Sequence, residues 1–147
     1  MRASGRRALG GALLLAVTAV PGLARAQDSA EVARARQVLE SYQDCERARR
    51  FAPCWALLSA RVQAEWARQG RGTVEEYAAS RGASEPRFAD FRVQRIRRSP
   101  SRVIFVVDAM AGTAARPAWE RVEYALLREG RQWRIDGRRV GASETTP

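Results

Sequence analysis

The chain has 147 residues, with 26 basic and 16 acidic side chains, two cysteines and no histidine. That length allows one domain and little more. The missing histidine excludes Ser-His-Asp and Cys-His nucleophile systems and every histidine-ligated metal. Two cysteines are too few for a cysteine-only zinc site, so no metal or other cofactor is expected.

The formal charge of +10 suggests a polyanionic partner, yet all 26 basic residues are arginines. A surface that grips phosphate ordinarily mixes in lysine, which serves well as a point charge. Arginine alone, beside many alanines and glycines, reads first as the residue choice of a GC-rich genome. Four of the arginines (Arg2, Arg6, Arg7 and Arg25) also lie in a segment, residues 1–26, that has the pattern of a secretory signal peptide. A positive start is followed by the apolar run Ala8 to Val20, a Pro21-Gly22 break, and a small-x-small site at Ala24-Arg25-Ala26 before Gln27. The 13 residues of that run fall short of the roughly 20 that span a bilayer, which argues against an uncleaved anchor. No cysteine follows the cleavage point, so a lipoprotein is not indicated. Ala8-Leu9-Gly10 after the arginine pair fits twin-arginine export poorly, and general secretion is favoured. With the segment removed, 22 arginines face the same 16 acids, and the net charge drops to +6. A periplasmic or secreted protein without a membrane span is expected.

In that compartment Cys45 and Cys54 are expected to be oxidised to each other. The rival, a redox-active pair, calls for Cys-x-x-Cys, and the spacing here is Cys-x8-Cys. Closing a loop of about ten residues stabilises a fold by roughly 2.5–3 kcal/mol in the chain-entropy view.

The first mature element is a helix from about Asp28 to Arg49, with Val32, Ala35, Val38, Leu39 and Tyr42 forming one stripe and Asp28 or Ser29 as its cap. The run Glu46 to Arg50 is polar on every side and reads as a fraying end. Pro53 suits the first turn of a second helix, whose apolar face carries Trp55, Leu58, Val62 and Trp66, and Gly70 and Gly72 end it. Thr73-Val74-Glu75-Glu76 is a capping box for a short third helix bearing Tyr77, closed by Gly82, and Glu85-Pro86 makes a poor continuation. The period then changes to two. Phe91 and Val93 alternate with polar residues, and Ile96 falls out of phase, which predicts a β-bulge. Ser99-Pro100-Ser101 is a turn, Val103 to Val107 a strand, and Ala111 to Pro117 a loop. Trp119 to Arg128 alternates again, Glu129-Gly130-Arg131 is a tight hairpin, and Gln132 to Val140 is the last strand. Residues 141–147 form a polar tail that is expected to be disordered. The fold class is α+β: three N-terminal helices packed on a four-stranded antiparallel sheet within residues 27–140.

One feature set is more specific. The second helix opens Pro53-Cys54-Trp55-Ala56-Leu57-Leu58-Ser59, after a first helix with Tyr42 near its end. The chain closes on a hairpin in which Leu127-Arg128-Glu129-Gly130 leads to Trp133-Arg134-Ile135. This pattern, over most of residues 28–140, resembles the nuclear transport factor 2-like superfamily with its cystatin-like cone fold, and most nearly its small exported bacterial members of unknown function. The resemblance implies a curved sheet and helices enclosing a cone-shaped pocket. Some members use that pocket for acid–base chemistry. Others bind ligands or dimerise through the open sheet face.

Three readings of function remain open. A binding module would take a small apolar ligand or an envelope protein in a pocket lined by Tyr42, Trp55, Trp66, Phe105, Tyr124 and Trp133; core packing is the plainer account of the same residues, with Trp119, and a pocket would be walled by that core. A cofactor-free isomerase, dehydratase or cyclase would use Asp108 as base and Tyr124 as donor, with Tyr42 or Tyr77 as alternates. Against this, Asp108 also suits an exposed strand end paired with arginine, and the isomerases' tyrosine and aspartic acids find no residue-by-residue match. An envelope-docking protein would use the basic patch Arg92, Arg95, Arg97, Arg98 and Arg102 on one hairpin, whose plainer role is to protect an edge strand. No aromatics interleave these arginines, so a nucleic-acid platform is not supported. Asp136, on the face opposite Trp133 and Ile135, is expected to face solvent.

Overall fold

The computed structural model describes residues 21–84, 87–113 and 115–141. The arginine-rich start and apolar run of the expected export segment, the Glu85-Pro86 break and the tail beyond Gly141 lie outside the described residues. Four helices precede four strands: α1 (Pro21–Arg47), α2 (Phe51–Trp55), α3 (Ala60–Arg68), α4 (Val74–Ser84), β1 (Phe88–Ser99), β2 (Arg102–Thr113), β3 (Arg116–Glu129) and β4 (Gln132–Val140). The strands pair as an antiparallel meander, β1-β2-β3-β4, that does not close into a barrel. The α+β class and the four-stranded antiparallel sheet are as the sequence indicates.

Helix α1 already includes Pro21, the first described residue, so Asp28 and Ser29 are interior positions, not caps. Its C-terminus is fixed by a Schellman arrangement: Arg50 N–H donates to the Cys45 carbonyl at 3.0 Å and Arg49 N–H to that of Glu46 at 3.1 Å. Arg49 takes the left-handed conformation (φ 54°) that glycine usually fills there. Its guanidinium is held by the Gly82 carbonyl at 2.6 Å and lies over the Phe51 ring. The expected disulfide is present: Cys45 near the end of α1 is bonded to Cys54 in α2, with 6.0 Å between Cα atoms.

The second helix is two helices. After Trp55 the chain straightens, and Leu58 runs parallel to Ile135 on the outer edge of β4. Ser59 N–H donates to the Ile135 carbonyl and Ile135 N–H to the Leu57 carbonyl, both at 2.8 Å. Ser59 then caps α3, its Oγ accepting from Val62 N–H at 3.2 Å. The apolar period from Trp55 to Trp66 runs through this break, and an N-cap serine interrupts it. Gly70 (φ 73°) ends α3 as C′, and the Thr73–Glu76 capping box closes reciprocally at 3.1 and 3.2 Å. Helix α4 runs past Gly82 to Ser84.

In the sheet, Gln94 is the extra residue of a bulge that moves Ile96 opposite Phe105, in phase with Val93 opposite Val107. The expected Ala111–Pro117 loop is largely strand. Gly112 pairs with Pro117, and β4 joins β3 only from Val122, so Pro117 occupies an edge-like stretch where a proline is tolerated. The core lies between the helices and one sheet face, with Leu39, Tyr42, Tyr77, Phe105, Val107, Val122, Tyr124 and Leu126 fully buried.

Two linkages should show in stability. The Cys45→Ser/Cys54→Ser double variant is expected to lose about 2–3 kcal/mol in urea unfolding, the worth of a ten-residue closed loop. Thr73→Ala is expected to cost about 1 kcal/mol through the lost cap.

Candidate functional site

The α1 stripe Leu39, Tyr42, Glu46 continues at steps of three and four, so the last of these turns a carboxylate into the core. Glu46 is only 4% exposed. Its Oε1 accepts from Arg81 of α4 at 2.7 Å and lies 3.6 Å from Nε of Arg138 on β4; its Oε2 accepts from the Tyr124 hydroxyl at 2.6 Å. Both guanidiniums are themselves about nine-tenths buried and stack on rings, Arg81 over Phe51 and Tyr77, Arg138 over Phe88. The Tyr42 and Tyr77 hydroxyls are 3.4 Å apart, and Tyr77 is flanked by Trp55 and Trp66. Burial, with Glu46 nearby, pushes the Tyr42 and Tyr124 hydroxyls well above the usual tyrosine range. These phenols donate or share hydrogen bonds as neutral groups. The sequence reading placed Glu46 in a polar fraying end; the helical spacing from Leu39 and Tyr42 was the signal that identifies it.

Asp136 makes a second buried acid. It is the extra residue of a β4 bulge, since Leu126 pairs with Ile135 and Ala125 with Gly137. The bulge sets its side chain against Ser59 Oγ at 2.9 Å, Arg61 Nε at 2.9 Å and Arg102 at 2.6 Å. Arg61 also reaches the Asp136 carbonyl. The expectation of a solvent-facing Asp136 is therefore corrected: at 3% exposure it is covered because the Leu57–Ser59 segment and α3 dock on the outer edge of β4.

The structure does not bring Asp108 and Tyr124 together. Phe105 pairs with Tyr124 on the core face, while Asp108, three residues along the unbulged β2, points to the other face. There it accepts from Arg121 Nε at 3.3 Å, with a quarter of its side chain exposed. The basic patch is likewise dispersed. Arg92 lies 4.3 Å over Trp119 and near Asp90, Arg97 pairs with Glu123, Arg102 with Asp136, and Arg98 turns toward a cleft; Arg95 is exposed on β1. Of the six aromatics named for a pocket, Tyr42, Phe105 and Tyr124 are fully buried core, and Trp55 and Trp66 pack around Tyr77.

Trp133 is also core, 4% exposed, but its outer edge and Arg34 line two neighbouring clefts. One, of about 490 Å³, lies between α1 and the β1–β2 turn and is lined by Glu31, Arg34, Arg98, Val103, Arg128 and Trp133 among others. The other, of about 400 Å³, lies toward the β3–β4 turn and includes Arg34, Val38, Leu57, Arg131, Trp133 and Arg134. Glu31 orients the shared wall: its carboxylate accepts from Trp133 Nε1 at 3.0 Å and from Arg34 at 2.7 Å. Among the described residues no group of acids and cysteines is placed to hold a metal, and no helix is long and apolar enough to cross a membrane.

The two carboxylates that matter differently should separate in urea unfolding. Glu46→Leu leaves two buried guanidiniums uncompensated and is expected to cost about 3–5 kcal/mol. Tyr124→Phe removes one hydrogen bond to a charged acceptor, about 1.5–3 kcal/mol. Asp108→Asn breaks only a partly exposed pair, about 0–1 kcal/mol. The raised tyrosines set an alkaline limit. The stability they confer is fully present below the ordinary tyrosine value near 10 and is lost as the pH climbs from there through the folded values. Phenolate absorbance of Tyr42 and Tyr124 should therefore appear together with unfolding, not ahead of it. Comparison with family models, with curated proteins and with solved structures finds no match to this chain.

Proposed function

We propose that the chain is an exported, non-catalytic binding module with a nuclear transport factor 2-like fold, and that it binds at the clefts around Trp133. The observation that carries this reading is the division of the polar residues. The Glu46 network has both carboxylate oxygens engaged inside the core, whereas the arginines around Trp133 line open clefts. A general base needs a free oxygen facing a substrate. Glu46 offers none, and Asp108 faces Arg121 on the wrong side of the sheet from Tyr124. The isomerase reading gains nothing from this geometry. Envelope docking through the β1–β2 hairpin is weakened in the same way, because Arg97 and Arg102 are already held by Glu123 and Asp136. Export is supported by the disulfide together with the N-terminal pattern. The sheet face carrying Ile104, Val106, Met110 and Leu127 is the surface for a second copy if the protein dimerises.

Native mass spectrometry of the protein purified from the periplasm of an expressing bacterium tests the reading in one spectrum. The expected species begins at Gln27, carries one disulfide and retains a small molecule. An unprocessed chain with free thiols would sink export, and a processed chain that never carries an adduct would count against a binding module.

A further inference from the structure

We infer that the two clefts at Trp133 form one site for an amphipathic oxyanion, an organic carboxylate on an apolar body. The inference rests on the binding-module reading and names its ligand class. The clefts share Arg34 and Trp133 in their lining and so are neighbours. Their charge is one-sided. The cleft toward the β3–β4 turn is lined by Arg34, Arg131 and Arg134 with no carboxylate, and the other opposes three arginines with Glu31 alone. That one acid is already occupied by Trp133 Nε1 and Arg34. Guanidinium forks match the two oxygens of a carboxylate and are weakly hydrated, so they exchange water for an oxyanion at small cost. The rest of the lining is mixed: Val32, Pro100 and Val103 with Ser99 on one side, Val38 and Leu57 with Gln37, Ser41 and Gln132 on the other. A bare inorganic anion would leave the apolar groups in water, and a neutral apolar molecule would not answer the excess of positive charge in the lining. A ligand with an anionic head and an apolar body satisfies both.

Arg131 is the most useful residue to vary, since it is exposed and its loss removes no ion pair among the described residues. Calorimetric titration of the purified protein with decanoate, decanol and acetate separates body from head. Decanoate should bind at least tenfold more tightly than either. Arg131→Gln with Arg34→Gln should weaken decanoate about tenfold or more, and raised salt should weaken it further. Arg95→Gln, an exposed arginine that lines neither cleft, should leave the affinity unchanged. Equal binding of decanol and decanoate would overturn the anionic assignment while leaving a binding module in place. No binding of decanoate would also overturn it, and the module itself would then stand or fall on the retained adduct in the native mass spectrum. An Arg95→Gln loss as large as that of the double variant would show general charge attraction in place of a site.

Discussion

The Glu46 carboxylate is the constraint on which the arrangement of this fold depends. An ionised carboxylate taken out of water costs several kcal/mol unless charge and hydrogen bonds are returned to it. Here they come from three different elements: Arg81 on α4, Tyr124 on β3 and Arg138 on β4. An apolar side chain at this position would accept any contact of suitable volume. A carboxylate accepts only those that bring donors to its two oxygens, so it fixes where α4 sits relative to the sheet as well as how closely. Cys45, the preceding residue, is tied to Cys54, and Arg49, three residues on, is tied to Gly82. The end of α1 is thus held covalently, ionically and by its cap within five residues.

The same network decides where the fold leaves open space. Tyr42, Tyr77, Phe105 and Tyr124 close the space beside Glu46, and the arginines that enter it stack on rings. Asp136 does for the outer edge of β4 what Glu46 does for the core, drawing Arg61 and Arg102 onto the join between the Leu57–Ser59 segment and the sheet. Glu123 takes Arg97 and Arg139 on the open face. The lining of the clefts around Trp133 stands out beside these matched acids, because Glu31 is the one carboxylate among its several arginines. Charge that looked diffuse along the sequence is concentrated in space by where the acids are spent.

Features encoded over a few residues were legible in the sequence. The Thr73–Glu76 box, the Gly70 stop, the Ser99–Ser101 and Glu129–Arg131 turns and the bulge before Ile96 each need only their immediate neighbours, and each forms. Features that depend on a distant partner were not. Trp55, Leu58, Val62 and Trp66 keep helical spacing, yet the backbone at Leu57–Ser59 finds a better set of hydrogen bonds on Ile135, more than 70 residues away in the chain. Asp136 alternates correctly as a solvent-facing residue until the bulge and the docked segment cover it. Glu46 could have been found, since it continues the Leu39–Tyr42 stripe, but a carboxylate on an apolar stripe is credible only once Arg81 and Arg138 are known to meet it.

The exclusive use of arginine, first read as a mark of genome composition, also has a consequence for the interior. A buried lysine can shed its proton and so escape the cost of desolvation, and burial lowers its pKa readily. A guanidinium has no such exit. Arg81 and Arg138 are therefore cations that the fold has to answer inside the core, and both lie against the Glu46 carboxylate. With no histidine in the chain, no side chain of the network has an ordinary pKa near neutral pH. The alkaline limit of the interior is set by the buried tyrosines, whose neutral form the fold requires. A core built this way holds its shape while the arginines that line the clefts at Trp133 remain at the surface.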